Sequence, residues 1–156
     1  PADVRAALED TGVAPERLTL EITEHLLADD GETTREQLAA LKEIGVLLAV
    51  DDFGTGYSAL SYLQAFPLDV LKVDRSFVQG IDRDAEKARL VQGIVEMGHN
   101  LGMTVVAEGI EEPGEAALLR EFRAGRGQGY LFARPVPADA IPGLLARTPT
   151  PGPGAR

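Results

Sequence analysis

Glu21, the adjacent pair Asp51 and Asp52, Lys72 and Glu108 each lie at or near the C-terminal end of a short apolar segment, and Gln128 opens a fifth such segment. A carboxylate inside a parallel sheet is costly unless it is paired or bound to a metal. The same placement on successive segments therefore implies a shared site. Carboxylates are hard oxygen ligands suited to magnesium or manganese, and two neighbouring aspartates could bridge two ions. Lys72, one segment further on, is placed to sit beside an attacking water or a phosphate. The chemistry this set points to is metal-assisted hydrolysis of a phosphoester.

The elements that must position these groups alternate along the chain. Helical periodicity appears at residues 2–9, 34–44, 58–65, 84–101, 113–122 and 138–146, and strand-sized apolar runs at 18–22, 46–50, 70–73, 104–107 and 128–132. Leu90, Ile94, Met97 and Leu101 form the expected core stripe of the long helix 84–101. Thr11-Gly12, Gly45 and Pro67 are helix stops, and Pro113 is a first-turn proline. The result is five βα units preceded by a helix, which implies a parallel sheet. Five units fit either an open doubly wound sheet or part of an eight-unit barrel. Chemistry at the carboxyl end of every strand favours the barrel, because an open sheet concentrates it at one switch point. Residues 1–147 read as one domain part and residues 148–156, with three Pro and two Gly, as a disordered tail.

Composition narrows the partners. The chain has 156 residues, 44% hydrophobic and 26% charged, with a net charge of −10. Such a chain repels polyanions, which argues against DNA and against an anionic membrane surface. With no cysteine, disulfides, thiolate metal sites and a cysteine nucleophile are excluded. His25 and His99, the two histidines, are far apart and read as surface or packing residues. No run reaches the length of a membrane span, and no signal peptide opens the chain, so the expected location is cytoplasmic, with any membrane anchor elsewhere in a parent protein. A start at Pro1 suggests a piece of something longer.

Blander accounts cover single features. Glu21 and Glu24 could begin a helix, Asp51-Asp52 could cap one, and Lys72 could pair simply with Asp74. Asp52-Phe-Gly54 matches a kinase triplet, but no glycine-rich loop or His-Arg-Asp loop accompanies it. Gly125-Arg-Gly-Gln-Gly129 falls short of a dinucleotide fingerprint and precedes a strand. A phospho-receiver also has five βα units, an acidic pair and a lysine, but there the pair follows the first strand and the lysine the fifth.

In order, Leu18-Thr-Leu-Glu-Ile-Thr-Glu24, Val50-Asp-Asp-Phe-Gly-Thr-Gly-Tyr-Ser58, Leu71-Lys-Val-Asp74, Ala107-Glu-Gly-Ile-Glu111 and Gln128-Gly-Tyr-Leu-Phe-Ala-Arg-Pro135 resemble the EAL-domain family. The resemblance implies a modified TIM-like (β/α)8 barrel that hydrolyses cyclic di-GMP to linear pGpG with two Mg2+ or Mn2+ ions. The chain would supply strands four to eight. By the same resemblance, Glu21 binds the first metal, Asp51 bridges both, and Asp52 and Glu108 bind the second. Lys72 orients or deprotonates the attacking water, Glu24 holds the loop from Phe53 through Ser58, and Gln128 and Asp74 support the site. That loop would also serve a homodimer contact. The family's Glu-Ala-Leu signature and an Asn ligand lie on upstream strands, outside this sequence, and Gly125 stands where the family usually has an acidic residue. A sensor or a diguanylate cyclase-like domain would precede the barrel. The alternative is a receptor that binds cyclic di-GMP without cutting it, or an interaction module. Taken alone, these residues are expected to self-associate and to be inactive, because a part-barrel has open sheet edges and an uncovered interior.

Overall fold

The computed structural model describes residues 1–28, 32–54 and 60–147. Its elements are α1 (Ala2–Thr11), β1 (Thr19–Thr23), α2 (Glu24–Ala28), α3 (Glu32–Ile44), β2 (Leu47–Phe53), α4 (Leu60–Ala65), β3 (Val70–Val73), α5 (Arg75–Val78), α6 (Ala85–Asn100), β4 (Thr104–Ala107), α7 (Pro113–Glu121), β5 (Arg126–Gly127) and α8 (Ile141–Arg147). All strand pairings are parallel, and the sheet order is β1-β2-β3-β4-β5. Each strand lies beside its successor in sequence. A doubly wound sheet, the receiver included, reverses direction at a switch point, whereas a barrel adds strands in chain order. The order therefore decides for the barrel.

Alternation separates the two faces of this sheet. Ile22, Leu48, Val50, Leu71, Val73, Val105 and Ala107 are buried in one cluster with Leu38 of α3, Val91, Ile94 and Val95 of α6, and Leu119 of α7. The opposite phase carries Glu21, Asp51 and Lys72, with Thr104 and Val106 only half-buried. At the amino-terminal end of the strands, Lys42 Nζ bonds both Asp69 carboxylate oxygens at 2.8 and 2.7 Å, and Leu48 N–H donates to Asp69 Oδ2 at 2.8 Å. This ties α3 to β2 and to the start of β3.

Four expectations from sequence need correction. Of the stripe expected on α6, Ile94 is buried and Met97 and Leu101 pack against the core, but Leu90 is 53% exposed and Val91, Val95 and Gly98 complete the buried face. Gly98 sets the face: a Cβ there would lie 2.6 Å from Val105 Cγ2 and 3.1 Å from Leu71 Cδ2, so the helix lies close against β3 and β4. A count of apolar residues does not see a glycine. The last strand is Arg126–Gly127, not 128–132. Beyond it the chain turns, with Leu131 N–H donating to Ile110 O and Phe132 N–H to Gly129 O, which leaves Tyr130 and Phe132 about half exposed. β2 runs on to Phe53, past the expected end at Val50. The short helix α5 was not expected, and α2 was weighed only as a blander account of Glu24. The start of the helix expected at 58–65, residues 55–59 of the loop, and the tail 148–156 lie outside the described residues.

Candidate metal and phosphodiester site

Residues from β1, β2, β3 and β4 meet at the carboxyl end of the sheet. Lys72 projects from β3, the central strand, with its side chain 8% exposed. Its Nζ lies 2.8 Å from Glu21 Oε1, 2.7 Å from Asp51 Oδ1 and 2.7 Å from Glu108 Oε1. One ammonium thus spends its three donors on carboxylates from three other strands. Burial alone would lower its pKa. The hydrogen bonds to Asp51, Glu108 and Glu21 outweigh burial and hold the amine charged well above its ordinary range. Burial raises the Glu108 carboxyl above its usual range, aided by the Asp51 and Glu21 charges, and the shared contact with Lys72 does not offset it.

Asp51 and Asp52 are adjacent, and on a regular strand they would face opposite sides. The structure resolves this with a register shift in the β2–β3 pairing between Val50 and Phe53, where Asp52 adopts φ 53°. A bulge of this kind re-aims a side chain, and aspartate tolerates the left-handed region better than most residues. As a result one carboxylate oxygen each from Asp51, Asp52 and Glu108 lie within 4.8 Å of one another. These hard oxygen donors fit a divalent cation such as Mg2+ or Mn2+. Glu21, 51% exposed, reaches the same lysine from β1. Four acids around one lysine leave the site short of positive charge, which a cation would make good.

The supporting residues are also placed. Gln128 lies just beyond β5, and its Nε2 donates to Glu108 Oε1 at 2.7 Å. Glu24 does begin a helix, α2, yet it is buried and its Oε2 accepts from Gly54 N–H at 3.1 Å, so it holds the turn that follows Asp52. Asp74 is not the partner of Lys72 in any described hydrogen bond or ion pair. It caps α5, accepting from Ser76 N–H at 2.9 Å, and although burial would raise its carboxyl, these Ser76 bonds keep it below its ordinary value. Glu115, which sequence reasoning missed, is 2% exposed. Its Oε1 accepts from Gly80 N–H at 2.7 Å and its Oε2 from Glu111 and Glu112 N–H at 2.9 and 3.0 Å. It pins the turn after Glu108 to the loop before α6. A glutamate three residues after a helix-start position, beside Pro113, is the sequence signal that could have found it.

Comparison with known proteins agrees with this geometry. The model of the EAL domain family matches residues 1–135. A cyclic di-GMP phosphodiesterase of Pseudomonas aeruginosa, NbdA, is 47% identical over 143 residues, which is 92% of this chain and 18% of that protein. The EAL domain of Mycobacterium smegmatis DcpA superposes with a TM-score of 0.89 at 37% identity, covering 96% of this chain and 67% of that one. Klebsiella pneumoniae BlrP1, solved in complex with manganese and cyclic di-GMP, superposes with a TM-score of 0.80 at 37% identity, covering 86% of this chain and 34% of that one. The chain spans about a fifth of the length of the curated relatives it matches. Family model, relatives and strand order together show that the chain belongs to the EAL-domain family.

Proposed function

We propose that this chain forms the carboxyl-end rim of a phosphodiesterase that hydrolyses cyclic di-GMP to linear pGpG. The observation that carries the reading is the meeting of Asp51, Asp52 and Glu108 within 4.8 Å around a lysine bonded to three strands. Glu21, Asp51, Asp52 and Glu108 would hold two Mg2+ or Mn2+ ions. When bound, these would stabilise charge on the phosphoryl oxygens and make water more nucleophilic near neutral pH.

The chain's own residues do the positioning. Water adds to phosphorus, the ribose 3′-oxygen leaves with a proton, and the ring opens to a linear dinucleotide with a 5′-phosphate. Lys72, held as an ammonium, would give up at least one of its carboxylates to the cations and orient the water or a phosphoryl oxygen through the donor so freed. Gln128 fixes the Glu108 carboxylate, Glu24 keeps the turn after Asp52 in place, and Asp74 anchors the segment that follows Lys72. Activity would belong to the whole barrel, whose upstream strands supply the remaining ligands. These residues alone would self-associate through their open sheet and be inactive.

A cytoplasmic location, a homodimer through the loop 53–58, and an upstream sensor or cyclase-like domain complete the proposal. Residues 55–58 of that loop lie outside the described residues. Among the described residues no helix is long and apolar enough to cross a membrane. The test is release of pGpG by the full-length protein with Mg2+. Asp51→Asn is expected to lower turnover by at least about a hundredfold, as loss of a metal-holding carboxylate does. Unchanged turnover in that variant would refute the assignment, and binding of cyclic di-GMP without release would make the protein a receptor.

A further inference from the structure

The two acidic turns of the site share one support that neither the family match nor the ligand set assigns. β3 lies between β2 and β4 in the sheet, and its chain continues through Asp74 directly into the four-residue helix α5. α5 therefore emerges between the turn after Asp52 and the turn after Glu108, and it touches both. On one side, a Cβ built on Gly54 would lie 2.7 Å from Cε2 and Cζ of Phe77. On the other, a Cβ on Gly109 would overlap the Cβ of Arg75. Both glycines have positive φ, 97° at Gly54 and 66° at Gly109, and Asp52 itself is at 53°. The glycines take this region freely, but at Asp52 it persists only where the surroundings hold it.

We infer that α5 is a shared seat for the acidic turns: Phe77 beneath Gly54 and Arg75 beneath Gly109 fix the distance between the Asp51–Asp52 pair and Glu108. Phe77 is the positioning residue of the two contacts. Its half-buried ring backs the bulge that brings both aspartates to one side, and it touches no carboxylate in any described ion pair or hydrogen bond. Asp74 acts one step further back, since its carboxylate closes the first turn of α5 onto Ser76 N–H. The lysine at the centre of the site and the seat that spaces its flanking acids are thus three residues apart on one stretch of chain. The inference rests on the reading of this cluster as a divalent-cation site.

The experiment measures Mn2+ binding by titration calorimetry to the full-length protein, with circular dichroism melts on every variant. Phe77→Ala is expected to weaken Mn2+ about tenfold or more, the usual effect of losing a group that orients metal ligands. Phe77→Leu, which keeps bulk under Gly54, should recover most of that loss. Gly54→Ala, which drives a methyl into the ring, should weaken binding in the same direction. Val91→Ala removes fully buried volume from α6, remote from the rim, and should lower the melt without moving Mn2+ affinity. Mn2+ affinity of Phe77→Ala within about twofold of wild type would overturn the inference, as would equal weakening by Val91→Ala. If Phe77→Ala does not fold, Gly54→Ala decides by the same criterion. Wild type that takes up no Mn2+ would overturn the cation site itself, a result distinct from wild type and Phe77→Ala binding alike.

Discussion

Replacing Lys72 with methionine separates the two positive charges the site is built for. In the wild type the ammonium lies 2.7 to 2.8 Å from three carboxylates that otherwise repel one another. Removing one partner of a mostly buried ion pair costs about 3–5 kcal/mol. Glu21 is half exposed and solvent screens its share, so about 3 kcal/mol is expected in the absence of divalent ions. A cation ligated by the same oxygens would lie no farther from Nζ than the sum of 2.7 Å and a metal–oxygen distance of about 2.1 Å, or about 5 Å. Repulsion between an ammonium and a divalent ion at that distance is about 1.7 kcal/mol even at the dielectric of water, and larger in the site. Saturating Mg2+ or Mn2+ should therefore close at least about 1.5 kcal/mol of the gap between Lys72→Met and wild type, while hydrolysis stays lost. The assay is paired urea or thermal melts of both proteins, with chelator and with excess metal. A destabilisation of the same size in both conditions would refute the reasoning, because the lysine and the cation would then not be competing for the same oxygens.

Glu115→Ala should destabilise the protein by about 1–3 kcal/mol, because it removes the buried carboxylate that accepts from the N–H groups of Gly80, Glu111 and Glu112. Burial would raise the Glu115 carboxyl, but the three backbone bonds win and hold it below its ordinary value of 4.5. Its contribution is thus complete above about pH 4.5 and is lost as pH falls through the lower folded value, so the gap between wild type and Glu115→Gln should shrink in acid melts. Gly98→Val should lower stability by about 1–3 kcal/mol through overlap with Val105 and Leu71, read from urea midpoints. Asp52→Gly should relieve the left-handed strain at φ 53° and gain about 1 kcal/mol while Mn2+ binding weakens. A variant that lost both stability and metal affinity would contradict the strain assignment.

The sheet was largely legible because its signal is local. Val70–Val73 and Thr104–Ala107 have the ends expected from their apolar runs, and period two put Glu21, Asp51, Lys72 and Glu108 on one face before any contact was known. The position of Asp52 was not legible, since strict alternation sends it to the other face and only the bulge brings it back. The partner of Lys72 was not legible either. Sequence offered the near neighbour Asp74, while the sheet supplied three carboxylates from 21 to 51 residues away, which no local pattern encodes. α5 escaped because four residues are too few to show a period, and β5 was misplaced because alternating Tyr130 and Phe132 imitate a strand in what is a turn. For Asp52 and β5 the deciding feature lies in the backbone, where side-chain patterns carry no information.

The central claim is that carboxylates from successive strands hold divalent cations at one rim. Crystals of the full-length protein grown with Mn2+ and measured at the manganese absorption edge test it most directly. The account predicts anomalous peaks about 2.1–2.3 Å from oxygens of Asp51, Asp52 and Glu108, with Lys72 displaced from at least one of its three carboxylates. Peaks elsewhere, or none with Lys72 still bonded to Glu21, Asp51 and Glu108, would contradict it.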